Sequence, residues 1–390
     1  MATNSTTTLS RINTPPAQTW NYLRTNDITL EVPFHSRKGD VYFALPRLFE
    51  GIECGMGGQV TDWVESQAAD AAYVEVRAGE VRKEPIVVSS MDTGVMVRAG
   101  AEATIVVCAD DAPGVAPSSS ADSDSPRFAA ELAGDDEAAT PRASLLDTSG
   151  MLVRIIAEHD ARVHVLEFVA ADDGRQHIES VGIVADARAR VDVRQYFLGA
   201  AITAAGLTCS LNGHNARFDL VCRYLARDEE RLDINHVVRM RGRNGRTNIA
   251  ESGVLDGRAK KALRATIDLV HGSSGSEGAE LENVLVLSDD VTNKTMPVIL
   301  CDEDDVAGNH GATIGSVGPE QIQYLTDRGL TIEEAEALYV RALFDEAVLA
   351  APTPQIRSTV LARAATVLGE AVARDLVEGL GLDLTAAEED

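Results

Sequence analysis

A recurring five-residue phrase constrains this chain more than any other feature. Ala161-Arg162-Val163-His164-Val165 returns as Ala189-Arg190-Val191-Asp192-Val193, as Ala216-Arg217-Phe218-Asp219-Leu220 and as Glu230-Arg231-Leu232-Asp233-Ile234. Successive copies begin 28, 27 and 14 residues apart, so the repeat unit is about 14 residues or its double. A strand plus a turn of that size cannot bury its apolar face alone, so the copies must stack on one another. The unit is also too short to hold a crossover helix, and helical periodicity is absent between about 150 and 315. The repeating element is therefore all β, which points to a parallel β-helix, with an antiparallel sandwich as the other arrangement open to such strands.

The rest of the chain divides around that core. Residues 1–58 read as a mixed, partly helical N-terminal unit, with a Pro-containing segment around Trp20, Tyr22 and Leu23 and a short apolar run through Phe43, Leu45 and Phe49. From 59 to 315 the texture is short Val/Ile-rich strands with period-two alternation, such as Tyr73-Val74-Glu75-Val76 and Thr104-Ile105-Val106-Val107. About 109–149 breaks that texture. The run DDAPGVAPSSSADSDSPR has too few apolar groups to offset its ordering entropy and reads as a flexible acidic insertion. Residues 316–390 turn helical: Gly318-Pro319-Glu320 opens one helix, Thr331 and Glu334 form a capping box for a second, and a third runs from about Gln355 to Glu378. Ile332, Ala335, Leu338, Tyr339 and Ala342 give the second helix an apolar stripe. The helices' stripes exceed what a small helical domain needs for its own core, which predicts a docking partner.

Composition removes several functions. Lys plus Arg number 35 against 61 Asp plus Glu, a net charge of −26, which disfavours nucleic acid and anionic membranes as partners. With 45% hydrophobic but 4% aromatic residues the core is aliphatic, and sites that stack bases or sugars on aromatic rings are not expected. The opening residues hold no signal-length apolar stretch, so a cytoplasmic protein is expected. Cys54, Cys108, Cys209, Cys222 and Cys301 are odd in number and lack a CxxC pair, so each reads first as a small buried hydrophobe.

P-loop, GxGxxG, HExxH and GxSxG signatures are all missing, which is informative in a chain this long. Two constellations remain. The run Asp302-Glu303-Asp304-Asp305 follows the strand Pro297-Val298-Ile299-Leu300-Cys301 and could bind Ca²⁺ or supply a hydrolytic pair of carboxylates; a β-helix carbohydrate-active enzyme using Asp302, Asp304 or Asp305 is the alternative reading. The other is Cys301 with His310, nine residues apart. Thiolate and imidazole suit zinc and iron–sulfur species, but two ligands cannot close a tetrahedral site, so a second chain would have to complete it.

The segment from Leu281 to Phe344 closely resembles the end of the core domain in the SufB/SufD family of iron–sulfur cluster assembly proteins, in its phrases DDV…HGAT, QIQYLTDRGL and EEAEALYVRALF. Thr19-Trp20-Asn21-Tyr22 is similar to the short Trp-containing phrase near the start of SufD-type chains. The resemblance implies a right-handed parallel β-helix flanked by an N-terminal helical unit and a C-terminal helical domain. It also implies a SufC-type ABC ATPase docked on the C-terminal helices and pairing through the β-helix with a SufB-type paralogue or with a second copy. The resemblance makes the protein a non-catalytic scaffold: a transient iron–sulfur cluster would then form at that subunit interface, and reduced flavin is a further cofactor the resemblance brings in. Within the family the chain is closer to SufD, since the Cys-Asp-Ser phrase of SufB stands here as Leu281-Glu282-Asn283. The family's SufD histidine matches His310 in Asn309-His310-Gly311-Ala312-Thr313, which makes it the expected ligand, whereas Cys301 does not match the cysteine that some SufD chains carry two residues before it. The remaining reading is a structural adaptor in which His310 is a turn residue.

Overall fold

The computed structural model describes residues 4–17, 25–35, 42–109, 114–115, 146–172 and 174–379. Two parallel sheets face each other. The first comprises β3 (Ala71–Val76), β5 (Asp92–Val97), β8 (Asp147–Ala157), β10 (Arg175–Ala185), β12 (Ile202–Leu211), β14 (Arg231–Met240), β16 (Lys260–Leu269) and β18 (Thr292–Cys301), with the two-residue β7 (Gly114–Val115) antiparallel to β8. The second comprises β4 (Ile86–Val88), β6 (Glu102–Cys108), β9 (Arg162–Ala170), β11 (Arg190–Gly199), β13 (Arg217–Ala226), β15 (Arg246–Leu255), β17 (Ser276–Val286) and β19 (Val306–Gly315). From β8 onward consecutive strands alternate between the sheets, so each coil contributes one strand to each face, and the chain is a parallel β-helix.

The repeat arithmetic now has a geometric meaning. The first three copies of the phrase lie on β9, β11 and β13, with Arg162, Arg190 and Arg217 in register, so 28 and 27 residues each make one full coil. The fourth copy lies on β14 of the opposite sheet, half a coil further on. The entries into β9, β11, β13 and β15 pass through a left-handed residue: Asp160 at φ 62°, Arg188 at 59°, Asn215 at 57° and Asn244 at 55°. Asp and Asn tolerate that conformation better than most side chains, which explains the polar residue before three of these strands. The next residue, Ala161, Ala189 or Ala216, is fully buried, and the strand then alternates inward aliphatic residues with outward polar ones.

The interior is mostly aliphatic, with Val153, Ile155, Val181, Ile183, Leu207, Val238 and Ile267 among its fully or almost fully buried residues. Cys54, Cys108, Cys209 and Cys222 are buried as the sequence led one to expect, and Cys301 is exposed. The N-terminal unit is an antiparallel pair, β1 (Asn4–Ile12) and β2 (Ile28–His35), followed by the helix α1 (Gly58–Gln67). Its Leu30, Val32 and Trp63 pack with Leu152, Ile178 and Ile202 on the outer face of the first sheet. Contact there is close enough that a Cβ on Gly55 would fall 2.0 Å from the main chain of Gly206, so only glycine fits. The Trp20–Tyr22 segment and residues 116–145 of the acidic insertion lie outside the described residues.

At the other end, α2 (Pro319–Thr326), α3 (Ile332–Ala350), α4 (Pro354–Leu368) and α5 (Glu370–Gly379) follow β19. The capping box forms: the Thr331 hydroxyl accepts from Glu334 N at 3.1 Å and Glu334 Oε2 accepts from Thr331 N at 2.8 Å. One long final helix was expected from about Gln355; instead Gly369, at φ 90°, separates α4 from α5, because the left-handed conformation that glycine adopts freely cannot continue a helix. Part of the helices' apolar surface is buried within the chain, while Ile332 and Leu338 of the expected stripe stay exposed. Phe344, Ala347, Val348, Val360 and Ala364 bury Phe168, Tyr196, Leu198, Leu225 and Val254 on the outer face of the second sheet. No helix among the described residues is long and apolar enough to cross a membrane.

Candidate functional site at the open end of the β-helix

β18 and β19 are the last strands of their sheets, and each pairs on one side only. His310 lies in the middle of β19, in register with Glu280 of β17. Gly308 shares its parity, and a Cβ there would meet Ile299 Cγ2 at 3.0 Å inside the coil, so His310 stands on the inward-facing row. It is exposed nonetheless, because no further coil covers this end. Its imidazole has no hydrogen-bond partner among the described residues; Asp305 instead accepts from the Ser274 hydroxyl at 2.7 Å.

Cys301 is at the far end of β18, exposed, its thiol donating to Glu303 O at 3.3 Å. His310 is four residues into β19, roughly 13 Å along the strand from Val306, and on the opposite sheet. Within one chain the two are therefore not brought onto one metal ion. Among the described residues no three His, Cys, Asp or Glu side chains converge to hold a metal.

The acidic turn has a structural task. Glu303 accepts from Gly272 N at 2.8 Å and Asp304 N at 3.1 Å, and the Gly272 amide holds its carboxyl below the usual range. With Asp305 bound to Ser274, these carboxylates tie the last turn to the preceding one.

Sequence reasoning missed a buried polar column that leads toward His310. Ser149 Oγ and His177 Nδ1 are 2.8 Å apart, His177 Nε2 is 3.2 Å from Glu179, and Gln195 donates to Glu167 at 2.6 Å. One coil pair further on, His236 Nδ1 meets Glu251 at 2.6 Å, Tyr224 donates to Glu282 at 2.6 Å, and Lys261 contacts Glu282, Asn293 Oδ1 at 3.1 Å and Thr295 Oγ1 at 3.0 Å. Burial, reinforced by the charge of Glu282, pushes Glu251 up to about 8; burial and the charge of Glu251 push Glu280 up to about 8. Glu280 lies against Glu251 and shares a hydrogen bond with it, and the Gly311 amide only partly offsets burial, so the residue beside His310 is a carboxyl that favours its proton. The signal was available as charged residues at inward parity, such as Glu280 and Glu282 in β17.

Comparison with known proteins settles the family. Residues 138–343, over half of the chain, match the model described as SUF system FeS cluster assembly, SufBD core domain. The chain belongs to the SufBD family. It is 30% identical over 133 residues to the iron–sulfur cluster assembly protein SufD of Bacillus subtilis, covering 34% of this chain and 30% of that protein. It is 24% identical over 194 residues to a SufBD family protein of Mycobacterium tuberculosis, covering 50% of this chain and 23% of the relative. A SufBD family protein of Mycobacterium leprae is 24% identical over 218 residues, 54% of this chain and 56% of its own length. The matched stretch thus spans less than two thirds of each of these relatives.

Proposed function

We propose that the chain is a SufD-like, non-catalytic scaffold subunit that offers His310 to a nascent iron–sulfur cluster at the seam with a second β-helix. The observation that carries this reading is the position of His310: an unpartnered imidazole at inward parity on an edge strand, at the end of the solenoid where both sheets stop unpaired. Such edges are templates for pairing with another chain. The second chain is a SufB-type paralogue or another copy, and it supplies the remaining ligands. The cluster is cargo: ligands divided between two chains let a change at the seam release it. Replacing a thiolate with a neutral imidazole lowers the negative charge around the iron. Cys301, exposed but distant along the coil, is the weaker candidate ligand.

His310→Ala is expected to leave assembly with a SufB-type partner and a SufC-type ATPase intact and to cut iron and sulfide content after reconstitution, with reduced flavin as electron source, about tenfold; Cys301→Ala should have a smaller effect. Wild-type iron and sulfide loading in the His310→Ala complex removes the ligand role.

On this reading the SufC-type ATPase docks on the outer side of the C-terminal helices, a reading supported by Tyr324, Ile332, Leu338 and Leu349, which expose 58%, 52%, 42% and 63% of their surfaces. Leu338 and Leu349 are eleven positions apart, about three helical turns, so they share one face of α3. Leu338→Glu/Leu349→Glu should abolish co-purification with the ATPase while the β-helix keeps its melting temperature. Undiminished co-purification of that variant rules this face out.

A further inference from the structure

The arginine of the repeated phrase has no part in the core or in the open end. The Ala and alternate apolar residues of the first three copies point inward, while Arg162, Arg190 and Arg217 are exposed on the outer face of the second sheet, with the half-buried Arg246 of β15 next in register. Four like charges thus occupy one row across adjacent strands about 4.8 Å apart, an arrangement that is locally repulsive. The ends of the row are neutralised: Arg162 lies 3.6 Å from Glu102, and Arg246 lies 2.9 Å from Glu277. Its middle is not. Arg190 and Arg217 have no ion pair among the described residues, and neither do the exposed Arg241 and Arg243 on the turn that stacks against the one before β13. In the next row Asp192 is within 4 Å of both His164 and Arg194, at 3.9 and 3.6 Å, and Asp219 feels the charge of Arg217 without forming an ion pair with it. The C-terminal helices cover only the far half of this sheet face, around Phe168, Tyr196 and Leu198.

In a chain of net charge −26, a basic row that no described residue covers, built by repetition, is a local conflict that the fold does not require. We propose that the row Arg162–Arg190–Arg217–Arg246, with Arg241 and Arg243, docks a partner's α-helix that carries an acidic stripe. Charge complementarity selects an anionic partner, and spacing selects the helix. Acidic side chains at i, i+4 and i+7 stand about 5–6 Å apart, close to the strand spacing of the row, so successive carboxylates can meet successive guanidinium groups. A nucleic acid fits less well, because its phosphates extend far beyond a four-residue row into a surface that repels them. This docking is independent of the cluster reading, since it uses neither His310 nor the edge strands.

The test uses the full chain and two alanine-based peptides of equal composition, one with Glu at i, i+4 and i+7 on one face, the other with the same Glu residues spread around the helix. Fluorescence anisotropy should show the striped peptide binding at least about tenfold tighter than the spread one. Arg190→Glu/Arg217→Glu should remove that preference, and rising salt should weaken it. Arg190→Gln/Arg217→Gln should also lose binding while keeping or raising the melting temperature, because like charges are being removed. Equal binding of the two peptides, binding retained in the Glu variant, or a lowered melting temperature in the Gln variant overturns the proposal. So does tighter binding of a single-stranded DNA oligonucleotide, or loss of self-association as the main effect of the Glu variant, which would name a nucleic acid or a second copy as the occupant.

Discussion

Lys261→Met should destabilise the protein by about 3–5 kcal/mol, because it removes one member of a fully buried ion pair and leaves the other without compensation. Both Lys261 and Glu282 have no exposed side-chain surface. The ammonium also donates to Asn293 Oδ1 at 3.1 Å and Thr295 Oγ1 at 3.0 Å and lies 5.4 Å from the centre of the Tyr224 ring. Methionine matches the stem but none of these contacts, so Glu282 keeps only the Tyr224 hydroxyl, and the β18 groups at the open end lose their donor. Burial lowers the affinity of Lys261 for its proton, which marks the desolvation that the partners offset. The double variant Lys261→Met/Glu282→Leu should recover most of the loss, since no lone charge remains. Urea unfolding of the three proteins at neutral pH is the measurement. A single-variant loss below about 1 kcal/mol, or a double variant no better than the single, means that the pair is not the buried anchor described here.

That pair also shows where a sequence stops being legible. The repeat phrase could be read because its period is local: a residue and its copy one coil away differ by 27 or 28 positions, and the interval alone implies stacking. Glu167 and Gln195, 28 residues apart and hydrogen-bonded, obey the same rule and could have been found by it. Lys261 and Glu282 differ by 21 residues and His236 and Glu251 by 15, intervals that cross between sheets and depend on turn lengths that the sequence does not declare. The C-terminal helices were legible as amphipathic, but the packing of Phe344, Ala347 and Ala364 on Phe168 and Tyr196, about 150 to 200 residues earlier in the chain, was not, since amphipathicity tells a helix to bury one face without naming the surface. His310 and Cys301 were legible as chemistry, through their residue types. Their separation, one mid-strand and one at a turn on the opposite sheet, follows from where β18 ends and β19 begins, and boundaries are the weakest part of any pattern reading.

The buried carboxyls make stability fall as pH rises from 6.5 to 8. Burial pushes Glu251 up to about 8 and Glu179 up to about 7, while in the unfolded chain both titrate near the ordinary glutamate value of about 4.3. Between these limits the folded protein holds protons that the unfolded chain has released, so unfolding becomes easier with each step upward in pH, and the effect stops growing once the folded groups have ionised. Glu280, also raised to about 8 but less fully enclosed, acts in the same direction. His164, raised by its hydrogen bond to Asp192, stabilises the folded state below its own titration and loses that contribution as pH rises. His236 opposes them, since burial lowers it to about 4, but the window in which the unfolded chain binds its proton closes near pH 6.5. Above that pH the carboxyls dominate. At about 1.4 kcal/mol per proton per pH unit, Glu251 and Glu179 together imply a loss of roughly 2–3 kcal/mol between pH 6.5 and 8. Urea unfolding at half-unit steps should trace this decline, and Glu251→Gln, which keeps an acceptor for His236 but cannot ionise, should make it measurably shallower, with Glu280 and Glu179 carrying the remainder. Stability that is level or rising over that interval would show that these carboxyls are ionised in the folded protein, with Lys261 and His236 carrying the compensating charge.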